Sequence, residues 1–234
     1  MNKNIRNIRS NILNLTFKAK SSHIGSCLSI VEILVALYFG VLKKNDRFIL
    51  SKGHAALALY SILFEKKIIS KKIFNSFGRN KTLLMNHVSN KVNGVEFSTG
   101  SLGHGLPVSV GKALKFKTNK EKNKVYVLMS DGEMNEGTTW ESLLFANHHR
   151  LDNLNIIIDY NKIQSMDFVS KVMKIEPLKQ KLQSFGCKVY EANGHSVKQL
   201  SKLLKKKVIN KPKVIIANTV KGKGVSFMEN NNLW

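Results

Sequence analysis

Asp131, Gly132 and Asn161 are the residues whose types and spacing point first to chemistry. An apolar, β-rich run at 125–129 ends in Ser130-Asp131-Gly132, and a second at 156–158 ends in Asp159-Tyr160-Asn161. Such runs read as strands buried on both faces of a parallel sheet, with a helix between them. Both turns then lie at the carboxyl ends of neighbouring strands, where open α/β sheets bind ligands. The Asp131 carboxylate and the Asn161 amide oxygen are ligands for a hard cation. Alone they make a poor cage for Mg²⁺, which fills its octahedron with phosphate oxygens and water. The pattern suggests a metal holding a diphosphate, with Gly132 letting its backbone N–H approach an oxygen.

The elements that must position these residues can be followed along the chain. Ile5, Ile8, Ile12 and Leu15 are spaced for a helix over 4–20, and 21–26 reads as a turn. A second helix is expected from Ser29, with Ser29 and Glu32 as a capping box, through Leu37 and Tyr38. A short strand at 48–50 leads to a helix beginning near His54, where free N–H groups and a histidine could serve a diphosphate. A glycine-rich loop from Gly94 to Leu106 enters a helix through Val110, Ala113 and Leu114, and its glycines allow close packing over a flat ligand. Between the two central strands, Thr138 and Glu141 fit a capping box, and Trp140, Leu143 and Leu144 fit one helical face. Further on come a helix from Glu176-Pro177-Leu178 to about Phe185, a strand at 188–191, a helix capped by Ser196 and Gln199, and a last strand at 214–217.

With 234 residues the chain can bury a sizeable core, and its length suits one α/β domain over 1–234. No run of about 18 apolar residues is present to span a bilayer, and 1–6 lacks the apolar stretch of a signal peptide. The expectation is a cytoplasmic protein with no membrane partner. Cys27 and Cys187 are far apart and read as buried small hydrophobes. A formal charge of +23 raises nucleic-acid binding, but only five of the 38 basic residues are arginine and the lysines are scattered. That profile argues against a nucleic-acid readout surface, although five lysines crowd 202–211.

Taken together, the segments resemble the transketolase family of thiamine-diphosphate enzymes. Asp131-Gly132, Glu136-Gly137, Leu151-Asp152-Asn153-Leu154 and Asp159-Tyr160-Asn161-Lys162-Ile163-Gln164 resemble its diphosphate motif. Ser51-Lys52-Gly53-His54-Ala55 matches another family motif without change, and Gly94-Val95-Glu96-Phe97-Ser98-Thr99-Gly100-Ser101-Leu102-Gly103 is a third signature. The resemblance runs from about Ala19 to Trp234 and corresponds to the first third or so of a full-length transketolase. It implies a doubly wound, mostly parallel sheet with helices on both faces, and transfer of a two-carbon ketol group between sugar phosphates in the pentose phosphate pathway. It also implies thiamine diphosphate with Mg²⁺, or Ca²⁺, held by Asp131, Asn161 and the carbonyl of Ile163. His54, Gly132 and the loop Gly100-Ser101-Leu102-Gly103 would contact the cofactor. His23 and His87 would face the sugar beside His54, and Glu136 would belong to a carboxylate network supporting cofactor activation.

Several positions depart from the family pattern: Ser130 where glycine is usual, Ser22 and Ile24 around His23, Asn86 and Val88 around His87, and His104 in place of glutamine. The pyrimidine-binding and C-terminal modules of the family have no counterpart in the sequence. The resemblance therefore implies an N-terminal subunit of a split enzyme, inactive alone and completed by a separate C-terminal subunit in a symmetric heterotetramer. Two alternatives stay open: half of a deoxyxylulose-phosphate synthase, and a basic binding module whose cofactor site has decayed.

Overall fold

The computed structural model describes residues 2–234. Among these residues ten helices are distributed among five strands: α1 (Asn2–Ala19), α2 (Ile24–Ser29), α3 (Val31–Gly40), β1 (Arg47–Leu50), α4 (Ala56–Glu65), α5 (Lys71–Phe74), α6 (Gly105–Thr118), β2 (Val125–Ser130), α7 (Gly137–His148), β3 (Leu154–Tyr160), α8 (Val169–Val172), α9 (Leu178–Ser184), β4 (Lys188–Asn193), α10 (Val197–Lys205) and β5 (Lys213–Asn218). The strands form one sheet in the order β1-β2-β3-β5-β4, and every pairing is parallel. All seven residues of β3 and all six of β2 are buried, as the unbroken apolar runs require of central strands in a parallel sheet.

Alternating side chains divide the core into two layers. Val127 and Met129 of β2 join Ile156 and Ile158 of β3 against α6, α7 and α9 on one face. Tyr126, Leu128 and Ile157 join α1, α3, α4 and α10 on the other. Helices cover both faces, so the expected fold class is the one found. The strand ends are then the sheet's accessible edges.

The structure corrects three local expectations. His23 is left-handed (φ 66°) and caps α2, so residues expected to continue a turn form a short helix instead. Ser29 does not cap a helix with Glu32: its hydroxyl donates to Asp159 at 2.7 Å, and α3 starts at Val31. Thr138 likewise donates to the Gly103 carbonyl at 2.9 Å, so Glu136 becomes the N-cap of α7. On that helix Leu143 is buried but Leu144 is 58% exposed, so the expected apolar face is narrower than its sequence suggests.

Candidate functional site

Four of the five strands deliver residues from their carboxyl ends to one cavity of about 420 Å³. β1 is followed by Lys52 and by a 3₁₀ turn, Gly53–Ala55, that carries His54. β2 is followed by Asp131 and Gly132, β3 by Asn161 and Ile163, and β5 by Lys221. Because Ser130 pairs with Asp159 in adjacent strands, the turns bearing Asp131 and Asn161 emerge side by side.

Three histidines gather on one side. The His23 ring lies 5.5 Å from that of His54 and 5.9 Å from that of His87, centroid to centroid. Burial, then the Lys52 ammonium and the other two imidazoles, push the His54 pKa down to about 3. Burial, then His87 and the lysines at 221 and 52, also lower the His23 pKa. His54 is therefore neutral at physiological pH, and a neutral imidazole offers one donor and one acceptor.

Asp131 is 2% exposed, and among the described residues no ammonium lies within 4 Å of it. Burial and the nearby Asp159 carboxylate raise its pKa to about 7, while one of its oxygens accepts the Lys162 N–H at 2.7 Å. A bound cation would relieve this uncompensated carboxylate. The Asn161 amide nitrogen donates to Asp159 at 3.2 Å, and its oxygen accepts the Ile163 N–H at 3.0 Å. Among the described residues no three His, Cys, Asp or Glu side chains cluster as a metal cage. A cation beside Asp131 would complete its shell from a ligand and water. A Cβ on Gly132 would meet no neighbour closer than 3.7 Å, so protein packing does not demand glycine there. The cavity residues fit a metal with a phosphate-bearing group.

Two buried carboxylates organise the walls. Asp159 pairs with Lys52, both fully buried, and accepts the hydroxyls of Ser29 and Thr219 as well as the Asn161 amide. Burial alone would raise its pKa, but the Lys52 charge and these hydrogen bonds hold it below the usual carboxylate range. Glu133 accepts the Ser51 hydroxyl, the Ser130 N–H at 2.9 Å and the Gly103 N–H at 3.1 Å. It thereby ties the ends of β1 and β2 to the glycine-rich loop. The segment bearing Lys221 is held from the end of β4: the Val220 N–H donates to His195 at 2.9 Å, His195 meets Glu32 at 3.0 Å, and Arg9 grips Glu32 with two nitrogens at 2.7 and 3.1 Å.

The family described as "Transketolase, thiamine diphosphate binding domain" matches residues 1–233. The chain belongs to the transketolase family. It is 38% identical to an apulose-4-phosphate transketolase subunit of Phocaeicola vulgatus, over 97% of this chain and 84% of that protein. The protein of the same name from Actinobacillus succinogenes is 40% identical, over 100% of this chain and 89% of its own length. A transketolase structure from Campylobacter jejuni superposes with a TM-score of 0.91 at 29% identity, covering 98% of this chain and 39% of that one.

The transketolase-like motifs meet around the cavity to different degrees. His23, His54, Leu102, Asp131, Gly132, Asn161 and Ile163 line it, and His87 joins through His23. Gly100 and Ser101 are exposed on the same loop, and a Cβ on Gly100 would touch the His87 ring at 3.5 Å. Gly103 is buried, with its N–H turned to Glu133 and φ at +78°. Glu136 is half-buried against Gly103, outside the cavity lining. Sequence reasoning alone passes over Lys52, Glu133, Asp159 and Lys221 as functional residues. Lys52 sits inside the Ser51-Lys52-Gly53-His54 motif and Asp159 two residues before Asn161, so motif membership is the signal available for both.

Proposed function

We propose that this chain is the cofactor-holding subunit of a ketol transferase, moving a two-carbon group from a ketose phosphate to an aldose phosphate. The observation that carries this reading is the meeting of Asp131, Gly132 and Asn161 with the His23–His54–His87 cluster over one cavity. Bound thiamine diphosphate supplies a carbon nucleophile and an electron sink. Asp131, Asn161 and the Ile163 carbonyl hold Mg²⁺, or Ca²⁺, which bridges to the diphosphate. Lys221 and neutral His54 add a cation and a hydrogen-bond donor on the same side, and Leu102 gives the cavity an apolar wall. His23 and His87 face the sugar, donating to its oxygens and taking protons from its hydroxyls. The single domain over 1–234 lacks a pyrimidine-binding module, so a separate C-terminal subunit completes the site in a heterotetramer, and Glu136 belongs to the interface between them.

The similarity to apulose-4-phosphate transketolase subunits favours a donor outside the pentose phosphate pathway. The test is ketol transfer from apulose 4-phosphate and from xylulose 5-phosphate, with thiamine diphosphate and Mg²⁺, by this chain with and without its partner subunit. Turnover only with both chains is expected, faster with the branched donor. Turnover by the chain alone would overturn the split-enzyme reading, and equal use of the donors would overturn the substrate preference.

A further inference from the structure

Among the described residues three lysines are almost fully buried: Lys52 at 0%, Lys213 at 2% and Lys221 at 6% exposure. Desolvating an ammonium group costs several kcal/mol unless an anion compensates, on the order of the penalties measured for buried ions. Lys52 has Asp159. Lys221 faces the cavity already argued to take a diphosphate. Lys213, the first residue of β5, has no carboxylate within 4 Å among the described residues. Its Nζ donates to the carbonyls of Leu203 and Leu204, at 3.2 and 3.0 Å, at the end of α10. Those dipoles anchor the ammonium without neutralising it.

Lys213 lines a cavity of about 340 Å³ at the amino ends of the strands, the opposite edge of the sheet from the cofactor cavity. Lys122 and Lys124 enter it from the segment before β2, and Lys206 and Lys207 from the end of α10. Against these five ammonium groups stand two carboxylates, Glu121 and Asp152. Asp152 already accepts the Asn210 N–H at 3.2 Å, and Glu121 the Asn119 amide at 3.1 Å. Burial, then the Lys124 charge, lower the Lys213 pKa to about 8, as expected of a cation whose surroundings lack an anion. Scattered surface lysines would not produce this arrangement, because Lys213 is out of solvent and the other four surround the same cavity.

We propose that this cavity binds a small phosphate-bearing anion, remote from the catalytic site, with Lys213 at its base and Lys124 and Lys206 at its rim. The shared chemistry of free phosphate and a sugar phosphate recognises the site equally, and a titration tells them apart. Backbone amide NMR of the full chain at constant ionic strength would follow additions of inorganic phosphate, glucose 6-phosphate, glucose and chloride.

The expected result is saturable shifts at 122–125, 206–208 and 213 with phosphate or the sugar phosphate, and none with glucose or chloride. Tighter binding of the sugar phosphate identifies an organic ligand; equal affinities identify phosphate itself. The double variant Lys124→Gln/Lys206→Gln, which leaves the buried core untouched, should bind at least about tenfold more weakly, the scale of losing charge-assisted contacts. Lys213→Met should abolish the shifts, and the rim variant carries the test if that protein does not fold. Shifts confined to His54 and Gly132, non-saturating shifts at lysines generally, or an unchanged affinity in the rim variant would overturn the proposal. Binding of an oligonucleotide at this edge without any response to phosphate would overturn it too.

Discussion

Asn161 donates its amide N–H to Asp159 at 3.2 Å, and that contact fixes which end of the amide is oxygen toward Ile163 and the cavity. The orientation of a proposed metal ligand is thus set by a carboxylate buried behind it. The same carboxylate compensates Lys52, so cavity geometry and buried electrostatics are one system.

Replacing Asp159 with Asn should therefore be costly. It leaves Lys52 buried without a counter-charge, and the expected loss is about 3–5 kcal/mol. Urea denaturation would measure it. The double variant Lys52→Met/Asp159→Leu should recover much of the loss, because both charges are then gone. A single variant as stable as the wild type would contradict the hub role of Asp159.

Two glycines should respond in opposite ways to alanine. At Gly103 a Cβ would lie 2.6 Å from Thr138 Oγ1 and 2.7 Å from Glu136 Cβ, in a backbone with φ at +78°. Gly103→Ala should cost about 1–3 kcal/mol of stability. At Gly132 the nearest atom would be 3.7 Å away, so Gly132→Ala should change stability by less than about 0.5 kcal/mol. Its effect should appear in cofactor affinity instead, read by calorimetry, because the added methyl occupies space proposed for the diphosphate.

Much of this is legible in the sequence because it is local. The apolar runs of β2, β3 and β5 need only their own composition, and Asp131 and Asn161 follow directly after two of them. Capping is misread at Ser29 and Thr138 because their hydroxyls find distant partners, Asp159 and the Gly103 carbonyl. The box that does form, Ser130 with Glu133, lies inside the Asp131–Asn135 turn. Glu133 escapes sequence reasoning because its donors, Ser51 and Gly103, lie 82 and 30 residues away. Strand order, which places Lys221 beside β3, depends on how the crossovers pack together and has no local signature.

The clamp behind Lys221 should show in acid. Burial pulls the Glu32 pKa upward, but hydrogen bonds from His195 and Arg9 outweigh it and hold the group below its ordinary value. A depressed folded pKa contributes stability that is complete above the unfolded value, about 4.3, and is lost as pH falls through the folded one. The stability difference between wild type and Glu32→Gln should thus be largest near neutral pH and shrink below about pH 4. A difference that stays constant across this range in urea titrations would rule out the ionised form as the stabilising one.

Lys221 itself should act on the ligand. Lys221→Met removes a buried cation without a carboxylate partner among the described residues, so stability should hold or rise, while diphosphate affinity falls about 10- to 100-fold, the range for a charge-assisted contact. Fluorescence titration with thiamine diphosphate and Mg²⁺ would measure the affinity. An unchanged affinity would remove Lys221 from the site.

The most direct test of the account is calorimetric titration of thiamine diphosphate into the complex of this chain with its partner subunit, with Mg²⁺ and with chelator, for wild type and Asp131→Ala. The expected result is saturable binding that requires the metal and weakens at least about 100-fold in the variant, the upper range of a lost charged contact. Metal-independent binding, or the same affinity in Asp131→Ala, would contradict the assignment of Asp131 as the residue through which this chain holds its cofactor.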